Sequence, residues 1–162
     1  MTSTYPELKR APTTVLSSFQ ELASCIDQEL EPSEWHEVDQ SRIDRFADAT
    51  GDHQWIHVDP RRAASGPFGT TIAQGYLTLS LLPQLMAEVI DFDGAMTVNY
   101  GLNKVRFPAP VPAGVQVRAL VTVTSVVDVE AGVQVAFRVI VECAGSPKPV
   151  CIAEPVWLVA FG

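Results

Sequence analysis

The chain has 162 residues, 47% of them hydrophobic, which is ample for one core of ordinary size. Its formal net charge of −8, with 11 Lys and Arg residues spread along the chain, opposes nucleic-acid binding, because duplex affinity rests on clustered cations that displace counterions. Cys25, Cys143 and Cys151 form no C-x-x-C, no run of 18 apolar residues occurs, and Pro6 and Glu7 precede any apolar run, so a disulfide framework, a membrane span and a secretory leader are not expected and a cytoplasmic protein is.

Residues 1–12, with Thr, Ser and two prolines, read as a flexible arm ahead of a domain over 13–162. Within 13–30 the apolar residues Val15, Leu16, Phe19, Leu22, Ala23 and Ile26 recur at three- and four-residue steps and predict a helix that Pro32 ends. A short strand is expected over 34–38. Ser41 as N-cap, Asp44 three positions on and the stripe Ile43, Phe46 and Ala47 predict a second helix that stops at Gly51.

Over 72–90 apolar residues occur on every side, the pattern of a central helix surrounded by protein. Pro83 removes one backbone bond and clashes with the preceding turn, at a cost of about 3 kcal/mol, so a kink or break is expected near Leu79 to Leu82. After Gly94 the period becomes two. Strands are predicted around 98–107, over 115–123 and 133–141, joined near Ala131 and Gly132, and around 150–161, with Pro155 at a bulge or an edge. Helices first and consecutive strands later give an α+β layer whose antiparallel sheet lies on the central helix.

Two stretches carry candidate chemistry. In "ATGDHQWIHVDP", residues 49–60, Asp52 and His57 follow a helix stop, on a segment read as a loop. A carboxylate beside an imidazole makes an acid/base pair, although Asp52 closing a turn and His57 buried beside Trp55 and Ile56 fits the spacing equally well. A metal site would take His53 and His57 with Asp52 or Asp59, and His36 as the last nitrogen ligand; His-x-x-x-His puts both rings on one face only in a helix, Trp55 and Pro60 argue against a helix here, and no metal is expected. A serine or cysteine nucleophile lacks a Gly-x-Ser-x-Gly elbow or a cysteine near the histidines. In "GPFGTTIAQGYL", residues 66–77, a glycine-rich loop enters the central helix, so the free amides of Gly75 and Tyr76 are candidates to hold an oxyanion, with plain turns and a Thr71 cap as the alternative.

The longer stretch "FADATGDHQWIHVDPRRAASGPFGTTIAQGYLTLSLLP" resembles the hydratase motif of the MaoC-like dehydratases, the (R)-specific enoyl-CoA hydratases, and "VNYGLNKVRFPAPVPAG" is similar to that family's second sequence block. The resemblance extends from about Ser33 onward. It implies a single hot-dog domain, an antiparallel sheet wrapped around a long helix, forming a homodimer with the site near the interface. It also implies Asp52 and His57 activating water and Gly75 binding the thioester oxygen, in the reversible hydration of a trans-2-enoyl-CoA to the (R)-3-hydroxyacyl-CoA without cofactor. Two departures stand out: Gln54-Trp55 where the family commonly has Asn-Pro, and Gln74 where many relatives have His.

Substrate contacts are expected from Gln54 between the pair, from Tyr76 along an acyl chain, and from Lys104 and Arg106 on coenzyme A phosphates. Tyr76 with Leu77 and Leu79 also reads as plain core, and the two cations as ordinary solvent-facing charges. The rival readings are a dehydratase acting on acyl carrier protein, a thioesterase of the same fold, and a non-catalytic acyl-thioester-binding dimer. An acidic carrier would need a basic patch on this acidic chain.

Overall fold

The computed structural model describes residues 12–161. The expected arm therefore lies, except for Pro12, outside the described residues. Seven strands and six helices follow in the order β1 (Thr14–Val15), α1 (Phe19–Ser24), β2 (His36–Val38), α2 (Gln40–Thr50), α3 (Trp55–Val58), α4 (Pro60–Ala64), α5 (Gly75–Ser80), α6 (Leu82–Ala87), β3 (Ile90–Asp91), β4 (Met96–Arg106), β5 (Val115–Val129), β6 (Gly132–Cys143) and β7 (Cys151–Ala160). Five of the strands form one antiparallel sheet in the order β2-β5-β6-β7-β4, and β1 pairs in parallel with β3.

The period-two pattern sets the core. Val117, Ala119, Val121 and Val123 of β5 and Val135, Phe137, Val139 and Val141 of β6 are fully buried, and the register places Val121 opposite Val139 and Ala119 opposite Val141. One face of the sheet therefore presents a continuous apolar surface, and it packs with Leu77, Leu82, Leu85 and Met86 of α5 and α6 in a single cluster. Pro155 lies on the interior strand β7 rather than at an edge. The irregularity is beside it, a register shift between Leu102 and Val105 of β4, with Leu102 opposite Pro155.

Three expectations need correction. The helix expected over 13–30 is only the six residues of α1, capped by Ser18. Thr14 and Val15 instead pair with Ile90 and Asp91, Asp27 takes a left-handed turn at φ 61°, and the amides of Asp27, Leu30 and Ser33 donate to carbonyls of β5. An isolated short helix is marginal, so the bonds offered by the edge of β5 win over the local periodicity. The cap of α2 is Asp39, whose Oδ1 accepts from Arg42 N–H at 2.7 Å, and not Ser41. The central helix is two short pieces instead of one long rod. It begins at Gly75 because Ile72 bridges to Pro112 in extended conformation, and it breaks at Leu81, inside the interval expected from Pro83, with the proline taken into the first turn of α6 where its missing N–H costs nothing. A sheet packed on a central helical element is the hot-dog arrangement. No helix among the described residues is long and apolar enough to cross a membrane.

A buried polar tie joins β2 to the end of α6. Glu88 is fully buried and accepts from the Glu34 amide at 3.0 Å, while its other oxygen lies 2.8 Å from His36 Nε2. Gln84 Nε2 lies 3.1 Å from His36 Nδ1, so Nδ1 accepts and Nε2 carries the hydrogen given to Glu88. Glu88→Ala would leave the buried His36 imidazole without its acceptor in the interior. It is expected to cost about 3–5 kcal/mol, a fall in Tm on the order of ten degrees by calorimetry, with a smaller loss for Glu88→Gln, which keeps an acceptor.

Candidate active site

Gly51 ends α2 in the left-handed conformation (φ 78°), its N–H bonded to the Ala47 carbonyl at 2.8 Å, and the turn brings Asp52 out of the helix. The segment that follows is not a loop throughout. Trp55–Val58 makes one helical turn, α3, contrary to what Trp55 and Pro60 suggest in sequence. The turn ends where Asp59 caps α4 through Arg62 N–H at 3.0 Å, and Pro60 opens that helix, so the Asp-Pro pair restarts the chain in a new direction. Trp55 is fixed by the Arg62 guanidinium 4.3 Å from its ring centre and by Gly66, where an added Cβ would come within 3.0 Å of the indole.

His57 is buried, and its ring is held by one short bond: Nδ1 lies 2.7 Å from the Ile72 carbonyl oxygen. A carbonyl only accepts, so Nδ1 carries the hydrogen and Nε2 of the neutral ring is bare. Nε2 faces Asp52 Oδ2 at 3.9 Å, and the Asp52 side chain is about half exposed (49%). That separation is too long for a direct hydrogen bond and leaves both atoms open to a third partner.

His57 and Gly75 line one mostly apolar pocket of about 300 Å³ with Phe68, Ile72, Thr78, Phe107 and Val111 among its walls. Gly75 is the first residue of α5, where the amide has no acceptor within the helix. Its lack of a side chain has a local cause: a Cβ there would lie 3.0–3.2 Å from the Phe107 ring. Phe107 also meets Tyr76 edge-on, with ring centres 6.4 Å apart.

His57 and Gly75 thus share one pocket, and Asp52 stands beside His57 without lining it. Tyr76 is 72% exposed rather than core and does not line the pocket, and Gln54, exposed, precedes α3 without capping it. Lys104 and Arg106 are exposed on β4 and do not line the pocket, and Arg106 Nη1 donates to the Val105 carbonyl. Leu77 is core, whereas Leu79 lines a separate groove with Leu82, Tyr100 and Trp157. Gln74 is buried with Nε2 3.4 Å from the Ile43 carbonyl, and its Oε1 has no hydrogen-bond partner among the described residues.

The other candidate chemistries find little support in the geometry. His53 is bonded to Asp48 at 3.0 Å on the surface, and that bond, helped by the Gly51 backbone, raises its pKa. His36 is engaged with Glu88, and no three His, Cys, Asp or Glu side chains among the described residues are grouped to hold a metal. Burial raises the Cys143 thiol and pushes Cys151 up to about 11, so neither is a thiolate near neutral pH. Sequence reading missed Phe68, Thr78, Phe107 and Val150 as pocket walls. "RFPAP" and "GPFG" at least mark rigid turns bearing an aromatic ring, but Val150 has no local signal and arrives only through the order of the sheet.

A sheet packed around a central helix, with a buried imidazole and a carboxylate side by side at a helix start, is the setting of a hot-dog hydro-lyase. The chain belongs to the family of the MaoC like domain, which matches residues 21–144. It is 51% identical over 141 residues to 3-hydroxyacyl-thioester dehydratase Z of Mycobacterium tuberculosis, covering 86% of this chain and 93% of that protein. It is 42% identical over 153 residues to nodulation protein N of Rhizobium leguminosarum bv. viciae, covering 89% and 92%. Among solved structures, the (R)-hydratase from A. caviae involved in PHA biosynthesis shares the fold with TM-score 0.68 at 22% identity, over 81% of this chain and 96% of that one. A monoamine oxidase regulatory protein from Archaeoglobus fulgius does so with TM-score 0.71 at 24% identity, over 93% and 99%.

The contact between Gly75 and Phe107 gives a direct test. Gly75→Ala is expected to lower stability by about 1–3 kcal/mol through overpacking. Adding Phe107→Ala should return part of that loss, so in chemical denaturation the double variant is more stable than the sum of the single effects allows.

Proposed function

We propose that this chain catalyses the reversible hydration of a trans-2-enoyl-CoA to the (R)-3-hydroxyacyl-CoA, with Asp52, His57 and the Gly75 amide at the reacting atoms. The observation that carries this reading is the 2.7 Å bond from His57 Nδ1 to the Ile72 carbonyl, which leaves Nε2 basic and turned toward Asp52. A water within hydrogen-bond reach of both Nε2 and Oδ2 is oriented by the carboxylate and loses its proton to the imidazole as its oxygen bonds to C3. The C2–C3 double-bond electrons move toward the thioester carbonyl, and the enolate oxygen is met by the Gly75 N–H, a type of contact worth about 2.7–4 kcal/mol. The imidazolium then returns the proton to C2, so no proton is gained or lost overall. Dehydration is the same path reversed.

The pocket's apolar walls suit an acyl chain, and the exposed Tyr76, which follows Gly75 and meets Phe107, suits a contact where the chain enters. Arg106 directly precedes the pocket residue Phe107 and Lys104 lies three residues before it, which supports a role for them in meeting coenzyme A phosphates. Three free cysteines accord with a cytoplasmic setting. A homodimer accords with β4, an edge strand whose alternate residues Met96, Val98, Tyr100 and Leu102 are all exposed, since a long apolar edge invites pairing with a second copy.

Asp52→Asn and His57→Gln are each expected to lower kcat by about 10²–10⁴-fold with thermal unfolding close to wild type. The assay is the loss of conjugated enoyl-thioester absorbance with short and medium acyl chains on coenzyme A and on acyl carrier protein; full activity in both variants contradicts the reading. Tyr100→Arg together with Leu102→Arg is expected to convert the dimer to monomer in sedimentation velocity.

A further inference from the structure

The His57–Ile72 bond joins the turn α3 to the extended stretch before α5, two segments that the Ile72 N–H also links by donating to the Ile56 carbonyl at 3.0 Å. A third element reaches both. Gln40, the first residue of α2, donates through Nε2 to the His57 backbone carbonyl at 2.7 Å and to Asp44 Oδ1 at 2.8 Å, and its Oε1 accepts a very short bond from the Thr71 hydroxyl. Thr71 is buried and precedes the residue whose carbonyl holds the imidazole. The amide has one possible orientation here, because reversing it would set its oxygen against a carbonyl and a carboxylate and leave the Thr71 hydroxyl facing an N–H group.

We infer that Gln40 is a positioning residue for the hydration reaction: with Thr71 it clamps the backbone on both sides of the His57 ring, and so fixes where the bare Nε2 points. Backbone bonds already tie Ile72 to Ile56, Ala73 to Val111 and Thr71 to Ala113, so the stretch has a frame without Gln40. What Gln40 adds is the spacing between the imidazole and its acceptor. The Ile56–Ile72 backbone bond also spans the two segments; the Gln40 side chain adds a second tie, bonding the His57 carbonyl and the Thr71 hydroxyl at once.

This inference rests on the proposed hydration, and the test separates the two. Gln40→Leu keeps the bulk and removes every bond; Gln40→Glu keeps an acceptor for Thr71 but sets a charge against the His57 carbonyl and Asp44. Both are expected to lower kcat for a short enoyl-CoA by about ten- to a hundredfold, with KM within about twofold, as a small misplacement of a reacting group does. Thr71→Val should repeat the effect and Thr71→Ser should restore most of it. Gln40→Leu with Thr71→Val should be no worse than either change alone, since they break one clamp. A second readout does not depend on turnover: the His57 Nδ1–H, visible by proton NMR in the wild type through its bond to Ile72, is expected to exchange rapidly in Gln40→Leu. An inactive wild type would remove the hydration reading and leave the NMR comparison to decide the clamp. Unchanged kcat with an unchanged Nδ1–H signal, or a loss confined to Tm, would overturn the inference.

Discussion

One hydrogen bond, from the His57 ring to the Ile72 backbone carbonyl, governs what this site can do. A carbonyl cannot give a hydrogen back, so the neutral ring is confined to one tautomer, and its other nitrogen, toward Asp52, is left without a hydrogen. A carboxylate in the place of Ile72 would have favoured the charged imidazolium, whereas the neutral carbonyl fixes the ring's orientation without adding charge. Asp52 contributes its charge from the other side, at 3.9 Å and partly in solvent, where it can orient a water without capturing the imidazole in a direct ion pair.

The fold serves that bond. His57 arrives on a single helical turn pinned between a left-handed glycine stop and the Asp59 cap, and Ile72 arrives on an extended stretch that ends only when α5 begins. The late start of the central helix therefore shapes the pocket as well as the core. Had the helix begun at Ile72, that carbonyl would have turned along the helix axis and bonded inside it, and the Gly75 amide would have been an interior group with an acceptor of its own. Phe107, entering from the end of β4, closes over Gly75 and keeps that end of the helix in an apolar setting where a dipole acts more strongly than in water.

Much of this was legible in the residues, for definable reasons. Strands β5 and β6 announce themselves because half-buried antiparallel strands must alternate, and the break ahead of Pro83 follows from its missing donor. Gly51 was readable because a helix stop needs a residue at ease with positive φ. The helix expected over 13–30 failed because its apolar residues face a sheet edge that competes for their backbone bonds, information that lies a hundred residues away. In the site, Asp52, His57 and Gly75 were marked by the motif they share with a known family, while Phe107, Gln40 and Thr71 act through contacts spanning 30 residues or more and carry no spacing to betray them. Lys104 and Arg106 are exposed and do not line the pocket, and alternation along an exposed edge strand says nothing about which opening lies nearby.

The account stands on the hydrogen of a single ring. Nitrogen-15 NMR of histidine-labelled protein reads it directly: in the neutral form of the His57 ring the hydrogen is expected on Nδ1 with Nε2 bare, and Nε2 is expected to respond when a non-hydrating acyl-CoA occupies the pocket. A proton found on Nε2, with Nδ1 unprotonated, would contradict it.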